Sequence, residues 1–146
     1  MARAKVHLPD SFIFSTTIPV RITDVNYGGH LANDAVLAMM HESRVRFLDT
    51  LGYSEKEIEG LGIIMSDAVI EYKSQGYQGD DVEIRIAVGE YSKYGCDIFY
   101  QLINSSTKRD IARAKTGIVF FDYSKEKMAT LPEAFQEKVN SAETVN

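Results

Sequence analysis

Hydrophobic and polar positions along this chain follow two periods. From Phe12 to Thr23 apolar residues fall on alternate positions: Phe12 and Phe14, then Ile18, Val20 and Ile22. That spacing predicts a strand with one buried face. Pro19 has no N–H to give, so its side of the strand belongs at an edge or a bulge. From Ala35 to about Leu51 the period lengthens to that of a helix. Its first half is apolar without a break from Ala35 to Met40, which predicts burial on every side. The second half gains Glu42, Arg44, Arg46 and Asp49, read as emerging into solvent or pairing at an interface, while Val36, Met40, Phe47 and Leu51 keep one face in the core. Asn33 or Asp34 is placed to cap the start of this helix, and Gly52 to stop it. Residues 54–59 read as a short surface helix opening at Ser54.

After Gly62 the period is two. Strands are predicted over residues 63–73, 82–91, 96–104 and 111–122, with Lys93-Tyr94-Gly95 as a tight turn. Pro132 opens a short C-terminal helix. Residues 1–10 and the tail after Asn140 are expected to be loose. Short turns between consecutive strands predict antiparallel neighbours. One apolar helix and one sheet with an apolar face satisfy each other when the sheet curls around the helix. The expected fold is therefore α+β, a curved antiparallel five-stranded sheet wrapped around one long central helix. No repeat or linker interrupts residues 1–146, so a single domain is expected, with its core over about residues 12–125.

Composition narrows the function classes. At 146 residues, 45% hydrophobic, the chain can build a core without disulfides or a structural metal. The single cysteine, Cys96, excludes an intramolecular disulfide and a Cys-rich zinc site, and a cytoplasmic location is the expectation. The N-terminus is too polar for a signal peptide, and no apolar run approaches the roughly 18–20 residues that span a bilayer. A net charge of −5 opposes phosphate backbones, and the basic group Lys108, Arg109, Arg113 and Lys115 is small. Neither nucleic acid nor a membrane is an expected partner. An anionic coenzyme could still meet a few local lysines or arginines.

Candidate chemistry is concentrated between the first strand and the long helix, where Asp24, Asn26, His30, Asn33 and Asp34 crowd together. Gly28 and Gly29 allow close backbone approach. The N–H groups at the start of a helix suit a carbonyl that becomes an oxyanion. Each residue also has a purely structural reading. Asp24 makes an Asx turn, Asn33 and Asp34 cap the helix, Glu42 pairs with Arg46 four positions on, and His30 bonds a backbone carbonyl. His41 is read as buried or interfacial, and Cys96 as packing. His30 and His41 lack the spacing of a metal site, so no metal is expected.

The run Asp24-x-Asn26-x-x-Gly29-His30-x-x-Asn33, then His41-Glu42-Ser43-Arg44, then a four-strand meander resembles the hotdog-fold thioesterases. Within them it is similar to the 4-hydroxybenzoyl-CoA thioesterase and acyl-ACP thioesterase branch. The resemblance implies hydrolysis of an acyl thioester of coenzyme A or acyl carrier protein, with coenzyme A part of the substrate and no separate cofactor. It implies homodimers or homotetramers with active sites at a subunit interface. With the chemistry above, the candidates for substrate binding are Gly28, Gly29, Asn33 and Asp34 at the helix N-terminus, and those for catalysis are Asp24, Asn26, His30 and Glu42. One position departs from the pattern. Many members of the branch carry a second acid where this chain has Asn26, and that acid is credited with catalysis. Asparagine is neither a base nor a nucleophile at neutral pH. The essential acid is left open among Asp24, Glu42, Asp34 and Asp67, or there is none. Two rival functions share the fold. One is an enoyl-CoA hydratase or dehydratase using His30 and Glu42; the proline-rich stretch expected of that family is absent. The other is a non-catalytic acyl-CoA binding or sensing module.

Overall fold

The structure is a computed structural model that describes residues 2–145. Its elements run β1 (Phe14–Pro19), a 3-10 turn (Ile22–Asp24), α1 (Asn33–Thr50), β2 (Gly62–Tyr72), β3 (Asp81–Gly89), β4 (Gly95–Asn104), β5 (Asp110–Asp122), β6 (Lys127–Met128) and α2 (Glu133–Ser141). The sheet is antiparallel with strand order β1-β3-β4-β5-β2, and the short β6 pairs with β5. This is the antiparallel sheet around one long helix expected from the pattern, and the hotdog fold that the resemblance implies, with a two-residue sixth strand added.

Alternation places Val82, Ile84 and Ile86 of β3, Ile98, Tyr100 and Leu102 of β4, and Ala112, Ala114, Ile118 and Phe120 of β5 on one inner face. Val36, Met39, Met40, Phe47 and Leu48 of α1 fill the space against it. β1 lies at one edge of the sheet, where Pro19 costs no ladder bond. β2 forms the other edge. It carries a bulge between Met65 and Asp67, so Ser66 has no partner on β5.

Several expectations are corrected. β2 does not pair with β3. The two are joined by residues 73–80, which cross beneath the start of α1, where Leu31 N–H donates to the Gly76 carbonyl at 2.7 Å. Periodicity locates strands but carries no information on which of them are neighbours. Residues 54–59 form no helix; two tight turns anchor Ile58, which is fully buried, and Glu59 and Gly60 turn the chain at φ 52° and 85°. The first half of α1 is not buried all round, because Leu37 is 45% exposed and Ala38 faces solvent beside it. The core continues past residue 125: Phe135 and Val139 of α2 are buried in it. The arm expected to be loose packs on the outer face of the sheet, where Val6, Phe12, Ala87 and Phe99 form a second cluster. The tail joins it there, with Val145 N–H donating to the Phe12 carbonyl at 2.8 Å. Among the described residues no helix is long and apolar enough to cross a membrane.

Candidate active site

The loop between β1 and α1 is braced by its own polar side chains. Asn26 Oδ1 accepts from the N–H groups of Gly28 at 2.9 Å and His30 at 3.3 Å, and Asn26 N–H donates to the His30 carbonyl at 2.9 Å. Gly29 holds φ at +80°, a conformation that closes this turn and that side chains resist. The His30 ring packs edge-on against Tyr77, with centroids 5.3 Å apart. The residue before the helix is Ala32, so no side chain caps α1. Asn33 and Asp34 are its first two helical residues, and their N–H groups meet no acceptor among the described residues. The Asp34 carboxylate turns to its neighbour, Ala35 N–H, at 3.1 Å. Asn33 takes the Tyr72 hydroxyl on its carbonyl at 3.2 Å.

Beyond its first turn, α1 presents different chemistry on its two flanks. On one side is a small recess of about 230 Å³ that brings Asp24 and Glu42 together with Arg21 and Arg46. Both acids are engaged there. Asp24 accepts from Arg21 N–H at 2.9 Å, Nε at 3.1 Å and Nη2 at 3.2 Å, and the Arg21 guanidinium holds its carboxyl below the ordinary carboxylate value. Glu42 receives Arg46 Nε at 2.8 Å, and Arg46 also reaches Thr16.

On the other side is a cleft of about 680 Å³ between α1 and β2. Asp34 stands at its mouth. Leu37, Ala38, Ile63, Met65 and Ala68 supply apolar walls, and His41, Arg44, Glu55 and Thr116 make its far end polar. Those polar groups form one chain of hydrogen bonds. His41 Nε2 lies 2.8 Å from Glu55 Oε1, and Arg44 Nε donates to Glu55 Oε2 at 2.8 Å. Arg44 Nη1 donates to the Tyr100 hydroxyl at 2.9 Å, which lies 2.7 Å from Thr116 Oγ1. The expectation that Arg44 is solvated is corrected: its side chain is 7% exposed. A buried cation requires a partner, and Glu55 supplies one. Burial opposes the charge on Glu55, but Arg44 and then His41 outweigh it and hold the carboxyl below its ordinary value. Burial pushes the Tyr100 hydroxyl up, so it stays neutral.

A family model described as thioesterase-like superfamily matches residues 20–139, most of the chain. The chain belongs to the thioesterase-like superfamily. Among solved structures, this thioesterase-like chain is similar to a 1,4-dihydroxy-2-naphthoyl-CoA thioesterase from Synechocystis, at TM-score 0.80 and 21% identity, covering 88% of this chain and 96% of that one. It is similar to a Staphylococcus aureus protein solved in complex with CoA, at TM-score 0.80 and 15% identity, covering 97% and 92%. It is also similar to a 12:0-ACP thioesterase from Umbellularia californica, at TM-score 0.76 and 17% identity, covering 91% of this chain and 54% of that one. A comparison with curated protein sequences gives no match.

The thioesterase-like chain thus distributes its sequence candidates over three places. Asn26, Gly28, Gly29 and His30 shape the loop, Asp24 and Glu42 share the recess, and Asn33 and Asp34 begin the helix above the cleft. Asp67, on the bulged strand, lines the cleft while its Oδ1 accepts from Gly117 N–H at 3.0 Å. Cys96 is buried in the core and its thiol is pushed up to about 12, which leaves it unreactive. Glu55, Tyr100 and Thr116 escaped sequence reasoning. Glu55 lies in a stretch whose pattern predicts a surface helix, and the others lie on strands with apolar alternates. The one available signal was helical spacing: His41 and Arg44, three apart, share a face with Leu37 and Ala38.

Proposed function

We propose that this chain is an acyl-CoA thioesterase that works as a homodimer or a higher homo-oligomer. The observation that carries the reading is the cleft itself, an apolar-walled slot whose lining includes Asp34, in the first turn of a helix that no side chain caps. A thioester carbonyl set against the N–H groups of Asn33 and Asp34 is polarised, and the negative charge that forms on its oxygen during attack is held by those donors and the helix dipole. The acyl group enters the slot between Leu37 and Ala38 on one side and Met65 and Ala68 on the other. Coenzyme A enters only as part of the substrate, and the reaction consumes water without a further cofactor. Two features support assembly. β2 ends the sheet, and past Ile63, whose N–H donates to the Glu55 carbonyl at 3.0 Å, its outer edge meets no other strand among the described residues; Leu37, Ile64 and Met65 are large apolar residues exposed beside it. Pairing of β2 with β2 of a second copy removes both liabilities.

The test follows free thiol released from acetyl-, octanoyl-, palmitoyl- and benzoyl-CoA. Turnover of at least one supports the reading. Tight binding of these compounds without thiol release overturns it in favour of a binding module. The hydratase rival is checked by adding crotonyl-CoA, which a hydratase converts without releasing thiol.

A further inference from the structure

The geometry points to His41 as the general base of this site, oriented by Glu55 and acting on the thioester held by a second copy of the chain; this rests on the thioesterase reading above. The acids in the loop and recess are spoken for. Asp24 is locked by Arg21 and Glu42 by Arg46, and Asn26 cannot take a proton. His41 is different. Its side chain is 61% exposed in the cleft, against 25% for Glu55. An ionised carboxylate only accepts hydrogen bonds, so the nitrogen facing Glu55, Nε2, carries the proton. In the neutral ring Nδ1 then carries the lone pair, and it has no hydrogen-bond partner among the described residues. Arg44 grips the other oxygen of Glu55 from within the core and fixes the carboxylate that fixes the ring. The titratable and charged groups sharing the cleft with His41 are Asp34, Arg44, Glu55, Lys56, Asp67 and Tyr123.

Distance decides which carbonyl His41 serves. It lies eight residues after Asn33, about 12 Å along the helix at roughly 1.5 Å per residue. A base must come within about 3 Å of the water it activates. His41 therefore does not reach a carbonyl held at the start of its own helix. In a two-fold dimer a contact from one residue to another is repeated in reverse. Asp34 and His41 lie equally far on either side of the exposed Leu37–Ala38 pair. Antiparallel apposition of two α1 faces about that pair sets the His41 of each copy beside the helix start of the other.

The step is balanced as follows. A water oxygen bonds to the carbonyl carbon as its proton passes to His41 Nδ1, and the C=O π pair moves onto oxygen. When that pair returns, the C–S bond breaks, and the proton on Nδ1 goes to the departing sulfur. The products are a carboxylic acid and free coenzyme A thiol.

The experiment uses whichever of the four acyl-CoAs the intact protein turns over fastest. His41→Ala lowers kcat by about 10²-fold or more, the scale of a lost general base, with KM little changed. Added imidazole restores turnover to H41A in proportion to its concentration. Glu55→Gln also lowers kcat at constant KM, and costs nothing further in the H41A background. To test action between copies, Asn33→Pro removes one N–H at the first helical position, after an extended Ala32, where proline fits without breaking the helix. N33P and H41A homodimers are both nearly inactive. Random mixing regenerates one good site in each heterodimer, about a quarter of wild-type activity overall. No recovery on mixing overturns action between copies. Full activity in folded H41A, or a lack of imidazole rescue, overturns the base assignment while the thioesterase reading stands. No thiol release by the wild type from any acyl-CoA overturns that reading itself.

Discussion

The two flanks of α1 carry similar residues to opposite ends. In the recess, Asp24, Arg21, Glu42 and Arg46 are two acids and two arginines that satisfy each other. In the cleft, His41, Glu55 and Arg44 are also an acid between two basic groups, yet only one nitrogen of the largely exposed His41 ring has a hydrogen-bond partner among the described residues. In the recess each acid is held by an arginine; in the cleft the acid is shared between an arginine and a histidine ring. Proximity of charged groups therefore separates the two sites less well than which partner each acid holds.

The contrast breaks most severely at Arg44. Arg44→Ala leaves Glu55 and Tyr100 without their shared donor in a buried setting, and about 3–5 kcal/mol of stability is lost in chemical denaturation. Arg44→Met keeps the volume and loses less. Next comes the paired comparison on activity. His41→Ala costs about 10²-fold in kcat, whereas Glu42→Ala, one residue along and facing the recess, stays within about twofold, as expected of an exposed pair. Equal losses at both positions would erase the distinction between the flanks. Asp24→Asn is smaller and concerns stability, costing about 1 kcal/mol at neutral pH, the scale of a lost backbone cap. The Asp24 carboxyl is held below its ordinary 3.8, so its contribution is complete above that pH and is lost as pH falls through its lower value in the folded chain. Melting curves of D24N and wild type therefore differ by a constant amount down to about pH 4 and converge in stronger acid. Smallest is Arg46→Ala, which removes a surface pair and moves the midpoint by no more than about 0.5 kcal/mol.

Much of this molecule was legible beforehand, for physical reasons that differ by element. The long helix and the inner faces of β3, β4 and β5 announce themselves because burial imposes a period on the residues that face the core. The family pattern around Asp24 to Asn33 is legible because the loop it encodes is local, with Asn26 bonding residues two and four positions away. The polar chain under the cleft is not local. Arg44 meets Tyr100 across 56 positions and Glu55 across 11. No spacing rule predicts a contact that forms only when a sheet closes on a helix. The crossover of residues 73–80 was hidden for the same reason. Charge on a helix usually marks its outer face, so the pattern places Arg44 in solvent; the rule fails when an acid folds over it.

The bulge in β2 has one further consequence. Met65 faces Ile118 and Asp67 faces Gly117, so the partners on β5 are consecutive and Ser66 is a residue the ladder does not count. A chain lacking Ser66 would keep every other pairing on both sides in frame, and its strand would run straighter. Length variation at that single point is thus predicted to be tolerated by folding and noticed by the cleft. A Ser66 deletion variant is expected to melt close to wild type while binding a different range of acyl groups.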